Sequence, residues 1–245
     1  MDELHGGRRQ APSGESDAAA TAGIPTLAED LLLLLFQPDS GTIAGEGTLY
    51  YVLAAAVLAD LGMGGHVRTG TGASGASTVE AEPDSPPGDP LLRPSWEYVA
   101  DKPRGVQTVL AAMGPTLREP LLERLIERRD IRRVKHKMLG LFTTSVLEPG
   151  EGGRRDALLA DVRAVLADGA QPTPRVAALA ALLYASGTLP QFDRGIPWVT
   201  AVITRAEELR AGNWGADAAA NAVTRTLTAT IVNSVIFAAD PRPWR

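Results

Sequence analysis

Residues 128 to 137 read Arg-Arg-Asp-Ile-Arg-Arg-Val-Lys-His-Lys, six permanently cationic side chains against one carboxylate, in a chain whose formal net charge is -5. Guanidinium and ammonium groups at that density attract phosphate and carboxylate. The run passes directly into Met138, Leu139, Gly140, Leu141 and Phe142, so a cationic ribbon leads into an apolar one. This is the composition of a segment that meets an anionic membrane surface. It also fits a solvated face beside an ordinary buried strand. Near an anionic leaflet each Lys or Arg contributes about 1 kcal/mol, so the run supplies several kcal/mol before Asp130 and salt screening reduce it. Strand alternation places Arg133, Lys135 and Lys137 on one face and Arg132, Val134, His136 and Met138 on the other. Met138, Leu139, Leu141 and Phe142 have three possible fates: insertion among lipids, burial in the protein's own core, or contact with a second copy.

Other chemistry is poorly supported. Gly70-Thr-Gly-Ala-Ser-Gly75 matches the dinucleotide-binding string G-x-G-x-x-G, which needs a buried strand before it and a helix opening on its last glycine. Here a polar strand precedes it and Pro83, Pro86 and Pro87 follow, so a hairpin loop is expected. His5, His66 and His136 are scattered without metal-ligand spacing, and the chain has no cysteine. Ser145, Ser186 and Ser234 lack a nucleophile-elbow setting, and no phosphate-binding Walker string occurs. Glu29 and Asp30 are neighbours, but adjacent helix positions point about 100° apart and cannot face one substrate together. Capping is the role expected of Glu29. The expectation is a protein that is not an enzyme and uses no cofactor and no metal.

The elements that must carry the basic run are mostly helical. With 245 residues, 44% hydrophobic, the chain can bury a proper core. Its first 23 residues are polar, lack the apolar stretch of a secretion signal and read as a disordered tail. The absence of cysteine suits the cytosol, and the location expected is cytoplasmic and peripherally membrane-associated. Thr26 and Glu29 form a capping box that opens a helix over 27–36, stopped by Pro38, Asp39, Ser40 and Gly41. Further helices are expected at 48–61, 91–100, 106–113, 116–128, 154–167, 174–186, 198–211 and 216–239. Short strands are expected at 66–69 and 77–81, and a second hairpin at 131–142. Trp198 and Trp214 read as core or capping residues. The last helix contains Arg225, Asn221, Asn233 and Ser234, too polar for an unassisted membrane span. The fold expected is mainly α: a single helical domain over 24–245 carrying one or two small β-hairpins.

Five segments in order carry a family resemblance. They are Thr-Leu-Ala-Glu-Asp-Leu-Leu-Leu-Leu (26–34), Leu-Ala-Ala-Ala-Val-Leu-Ala-Asp-Leu (53–61), Gly-Asp-Pro-Leu-Leu (88–92), Leu-Leu-Glu-Arg-Leu-Ile-Glu-Arg-Arg-Asp-Ile (121–131) and Val-Ala-Ala-Leu-Ala-Ala-Leu-Leu-Tyr-Ala-Ser-Gly (176–187). Together they resemble the Golgi phosphoprotein 3 family in its bacterial form. The resemblance implies a domain that docks on membranes by binding the headgroup of phosphatidylinositol 4-phosphate, with an amphipathic hairpin that supports self-association. In eukaryotes such proteins are adaptors that retain glycosylation enzymes, which implies a membrane-protein client. The family's headgroup site uses a tryptophan and an arginine near the second helix and two arginines three apart before the hairpin. Gly45, Ala54, Pro115 and Arg118 stand at those positions, so one element of four is kept.

The reading favoured by residues and resemblance together is a peripheral membrane protein binding anionic phospholipid, a phosphoinositide among the candidates. Its contacts would be Arg118, Arg128, Arg129, Arg132, Arg133, Lys135 and Lys137, with Met138, Leu139, Leu141 and Phe142 as the inserting or oligomer-forming apolar part. The alternative is a soluble helical scaffold using the basic hairpin for protein contact or as a homo-oligomer interface. Nucleic acid is not an expected partner, because the chain is acidic overall and carries no reading module.

Overall fold

Thr26 starts the first helix as its sequence predicts. Its hydroxyl accepts the Glu29 amide at 3.1 Å while Glu29 Oε2 accepts the Thr26 amide at 2.8 Å. Two of the orphan amides at the helix start are thereby satisfied. The computed structural model describes residues 23–72, 75–138, 142–192, 195–214 and 222–239, with backbone alone at 136–138, 142–144, 222–225, 227 and 237–239. The tail expected over 1–23 lies, apart from Gly23, outside the described residues.

Helix α1 (Leu27–Leu35) is buried along its whole length. Helix α2 (Leu49–Met63) is apolar on nearly every side, as a helix enclosed by neighbours must be. They pack on one another and are wrapped by α4 (Val106–Met113), α5 (Arg118–Glu127), α6 (Arg154–Leu166), α7 (Pro174–Ala185) and α9 (Ala222–Ala239). Helices α3 (Arg93–Ala100) and α8 (Thr200–Arg210) lie on the outside of this group, against α4 and α7 respectively. Leu27, Leu31, Leu32, Leu34 and Leu35 are sealed from solvent, each worth about 1.5–3 kcal/mol of burial. No helix among the described residues is long and apolar enough to cross a membrane. Trp214 is buried, its indole donating to the Leu209 carbonyl at 3.0 Å, whereas Trp198 is exposed.

The expected mainly α domain with one or two hairpins is incorrect: the described residues form a mixed α and β structure with seven strands in three small sheets. Strands β1 (Phe36–Gln37) and β2 (Thr42–Ile43) pair antiparallel around the Pro38–Gly41 turn, so the expected helix stop is also the turn of a short hairpin. Strands β3 (Val67–Thr71) and β4 (Ser77–Ala81) form the expected hairpin, and β5 (Arg104–Gly105) adds a third strand to it. β1, β2 and β5 are two residues each, too short to show the alternation by which a strand is read. Strands β6 (Ile131–Met138) and β7 (Phe142–Pro149) make the basic hairpin. Its return strand runs seven residues past the expected end at Phe142, through β-favouring Thr143, Thr144 and Val146.

Candidate functional site

The basic run divides at the foot of the hairpin. Arg128 turns inward. Its Nε donates to Glu29 Oε1 at 2.6 Å and its Nη2 to the Gly23 carbonyl at 2.7 Å, leaving 15% of the side chain exposed. Arg129 is exposed, and its backbone adopts the left-handed conformation, φ 63°, uncommon for a residue with a Cβ. No carboxylate comes within ion-pair distance of it among the described residues. Lys135 is likewise exposed and without one.

The remaining strand arginines are partly occupied. Arg132 meets Glu148 across the hairpin at 3.2 Å, the register placing the two directly opposite. Arg133 reaches from β6 to α5, at 2.8 Å from Glu119 and 2.7 Å from Glu123. These pairs lie in solvent and hold little energy, about 1 kcal/mol or less each, so either arginine can re-aim toward a phosphate at small cost. Arg118, at the start of α5, is nearly half exposed, its nearest carboxylate being Glu119 at 3.9 Å. Lys137, Met138 and Phe142 are placed by backbone only, with Met138 opposite Phe142. Leu139 and Leu141 lie outside the described residues.

The positions corresponding to the family's headgroup site do not form a cationic pocket. Ala54 is 2% exposed inside α2 and faces no solvent. Gly45 sits in a left-handed turn before α2, where a Cβ would come within 2.7 Å of Thr188 Cγ2. Pro115 lies in the short 3-10 turn Gly114–Thr116 that leads toward α5. Only Arg118 offers a guanidinium.

Sequence reasoning missed a larger feature. Around the start of α1, the carboxylates of Glu29, Asp30, Asp60, Asp89 and Asp130 meet the guanidiniums of Arg124, Arg128, Arg154 and Arg175. Arg124 forks onto Asp89 at 2.8 and 2.6 Å. Arg175 donates Nε to Asp30 at 2.9 Å and Nη2 to the Pro25 carbonyl at 2.8 Å. Arg154 bridges Asp30 and Asp130. Glu29 and Asp30 do diverge as helix neighbours should, and the divergence has a use. Glu29 holds Arg128 just before the hairpin, and Asp30 holds Arg154 just after it. Between them the Gly150 amide donates to the Asp130 carbonyl at 2.9 Å, closing the two feet. Asp60, a lone carboxylate in the apolar stretch 53–61, was the one signal in the sequence that something cationic must lie nearby.

Burial and pairing act in opposite senses on these acids. Burial alone would raise the Glu29 carboxyl, but the Thr26 amide, Arg128 and the Thr26 hydroxyl outweigh it and hold the group below its usual range. Asp89 is likewise held low, Arg124 and the Leu91 amide overcoming burial. Burial dominates at Asp130, raising it despite Arg154. Asp60 is pushed up to about 7 by burial, against the Leu27 and Ala28 amides and Arg175, with Asp30 adding to the rise.

The G-x-G-x-x-G string begins inside β3, where Gly70 pairs with Thr78 and Thr71 with Ser77 of β4. A strand, not the helix that the dinucleotide-binding motif requires, follows Gly75.

A mixed α/β domain with a cationic hairpin clamped to a buried helix is the class that geometry defines. A family model described as Golgi phosphoprotein 3 (GPP34) matches residues 27–226, from the first residue of α1 into α9, and the chain belongs to that family. No curated protein matches it.

Proposed function

We propose that this protein is a peripheral membrane protein that docks on anionic phospholipid headgroups through the outward cations of the hairpin and its approach, Arg118, Arg129, Arg132, Arg133, Lys135 and Lys137. The observation that carries the reading is the exposure of Arg129 and Lys135 without carboxylate partners among the described residues, beside Arg128, Asp130 and Arg133, which are paired with the body. Family membership supports it, since the family resemblance implies binding of phosphatidylinositol 4-phosphate. Arg128 leaves the proposed surface and takes a structural role. With Gly45, Ala54 and Pro115 in place of the family's site residues, the docking proposed is governed by surface charge, not by enclosure of one headgroup.

Such docking is reversible and long-ranged only within a Debye length, about 8 Å at physiological ionic strength. Arg132 and Arg133 would exchange Glu148, Glu119 and Glu123 for lipid phosphate on arrival, each guanidinium fork suiting two phosphate oxygens. The role is binding, without a catalytic step. Co-sedimentation with zwitterionic, generic anionic and phosphatidylinositol 4-phosphate vesicles at low and high salt tests it. Binding to both anionic kinds that fades with salt is expected, and no binding to any vesicle would leave the hairpin as a protein contact.

A further inference from the structure

Among the described residues the cluster around α1 holds five carboxylates and four guanidiniums, one negative charge more than those cations match. With the side chains of Glu29, Asp30, Asp60 and Asp130 each at most 9% exposed, an excess of that kind is balanced most cheaply by one bound proton. The carboxylates differ in how well they are held. Glu29, Asp30, Asp89 and Asp130 each have at least one guanidinium in direct hydrogen-bond contact. Among the described residues Asp60 has only Arg175, whose Nη1 lies 3.6 Å away while its Nε and Nη2 are engaged by Asp30 and the Pro25 carbonyl. Asp60 accepts the Leu27 amide at 2.7 Å and the Ala28 amide at 3.4 Å, so it caps α1 from a different helix.

We propose that Asp60 is a proton-controlled latch that ties the start of α1, and through it the foot of the basic hairpin, to the body of the protein. The connection is continuous. Asp60 on α2 meets Arg175 of α7, Arg175 meets Asp30 of α1, Asp30 meets Arg154 of α6, and Arg154 meets Asp130 at the foot of β6. The charged groups facing Asp60 are Asp30 from α1 and Arg175 from α7. Among the described residues no other cationic side chain comes within ion-pair distance of it. One of its two oxygens can carry a proton while the other still accepts the α1 amides. Losing the proton places a second negative charge beside Asp30, with Arg175 shared between them. The carboxyl lies near 7 because of its burial, so the change falls in the physiological range.

The sign follows from linkage. A folded-state value raised above the ordinary 3.8 gives stability that is complete below the ordinary value and lost as pH rises through the folded one. Between pH 6 and 8 the unfolding equilibrium constant should rise about tenfold, a fall in Tm of roughly 3–5 °C for a chain of this size. The test compares thermal unfolding of the wild type and Asp60→Asn over that range, subtracting the two so that the histidines cancel. It adds a carbon-13 NMR titration of the Asp60 carboxyl in the wild-type protein. The expected result is a pH-dependent loss of Tm in the wild type that Asp60→Asn lacks, with the carboxyl titrating near neutrality. An Asp60 carboxyl that titrates near the ordinary aspartate value, or an equal loss in Asp60→Asn, overturns the proposal. Should Asp60→Asn fail to fold, the carboxyl titration decides alone. The proposal concerns the fold and does not rest on lipid binding.

Discussion

Glu29 and Arg128 are 99 residues apart in sequence and 2.6 Å apart in the folded protein. The carboxylate has no exposed surface, and the arginine opens the basic run. One interaction thus removes a cation from the proposed docking surface and makes it part of the hairpin's foundation.

Removing that foundation should be costly. Glu29→Gln keeps an acceptor for the Thr26 amide but leaves Arg128 and Arg124 facing an amide in place of a buried carboxylate, so a loss of about 3 kcal/mol is expected. Chemical denaturation checks the value. A double-mutant cycle with Arg128→Met should show coupling of about 1 kcal/mol or more between the two residues.

Acid should unfold the protein by releasing the low carboxyls. Glu29 and Asp89 are held below their ordinary values of 4.5 and 3.8, so the stability they contribute is present above those values and lost as pH falls through the lower folded ones. Arg124→Gln removes the fork on Asp89 and should move the midpoint of acid unfolding to higher pH. Circular dichroism across pH 2 to 5 measures the shift. Stability should therefore peak on the acid side of neutrality, between this loss and the opposite one at Asp60.

The crossing of the hairpin's feet leaves no room at Gly150. A Cβ there would lie 1.8 Å from the Arg129 carbonyl oxygen, a backbone atom that cannot swing away. Gly150→Ala should cost at least about 2 kcal/mol and disturb the left-handed turn at Arg129. Denaturation and amide exchange at Gly150 report the two effects. By contrast, Arg132→Gln with Arg133→Gln breaks only solvent-facing pairs, and its stability should stay within about 1 kcal/mol of wild type.

These contrasts explain what the sequence disclosed. Thr26 and Glu29 could be read as a cap because their partners are three residues apart, and the helices followed from period and breakers. The basic run was visible as composition. Its division into inward Arg128 and outward Arg129 was not, because the acceptors lie 99 residues away at Glu29 and 105 at Gly23. The cluster was hidden for the same reason, with Arg175 reaching Asp30 across 145 residues. Strands as short as Arg104–Gly105 exist only because β4 already offers an edge, so the mainly α expectation failed there. The adjacent carboxylates Glu29 and Asp30 diverge as helix neighbours do, and that divergence lets them hold both feet of the hairpin.

The most direct measurement is binding of Arg129→Glu with Lys135→Glu to generic anionic vesicles at low salt, beside wild type and Arg132→Gln with Arg133→Gln. The outward cations are the proposed contacts, so charge reversal at Arg129 and Lys135 should abolish most binding. Neutralising Arg132 and Arg133 should weaken it partially, with all three proteins equally stable. Undiminished binding by the charge-reversed variant, at unchanged salt dependence, would contradict the account.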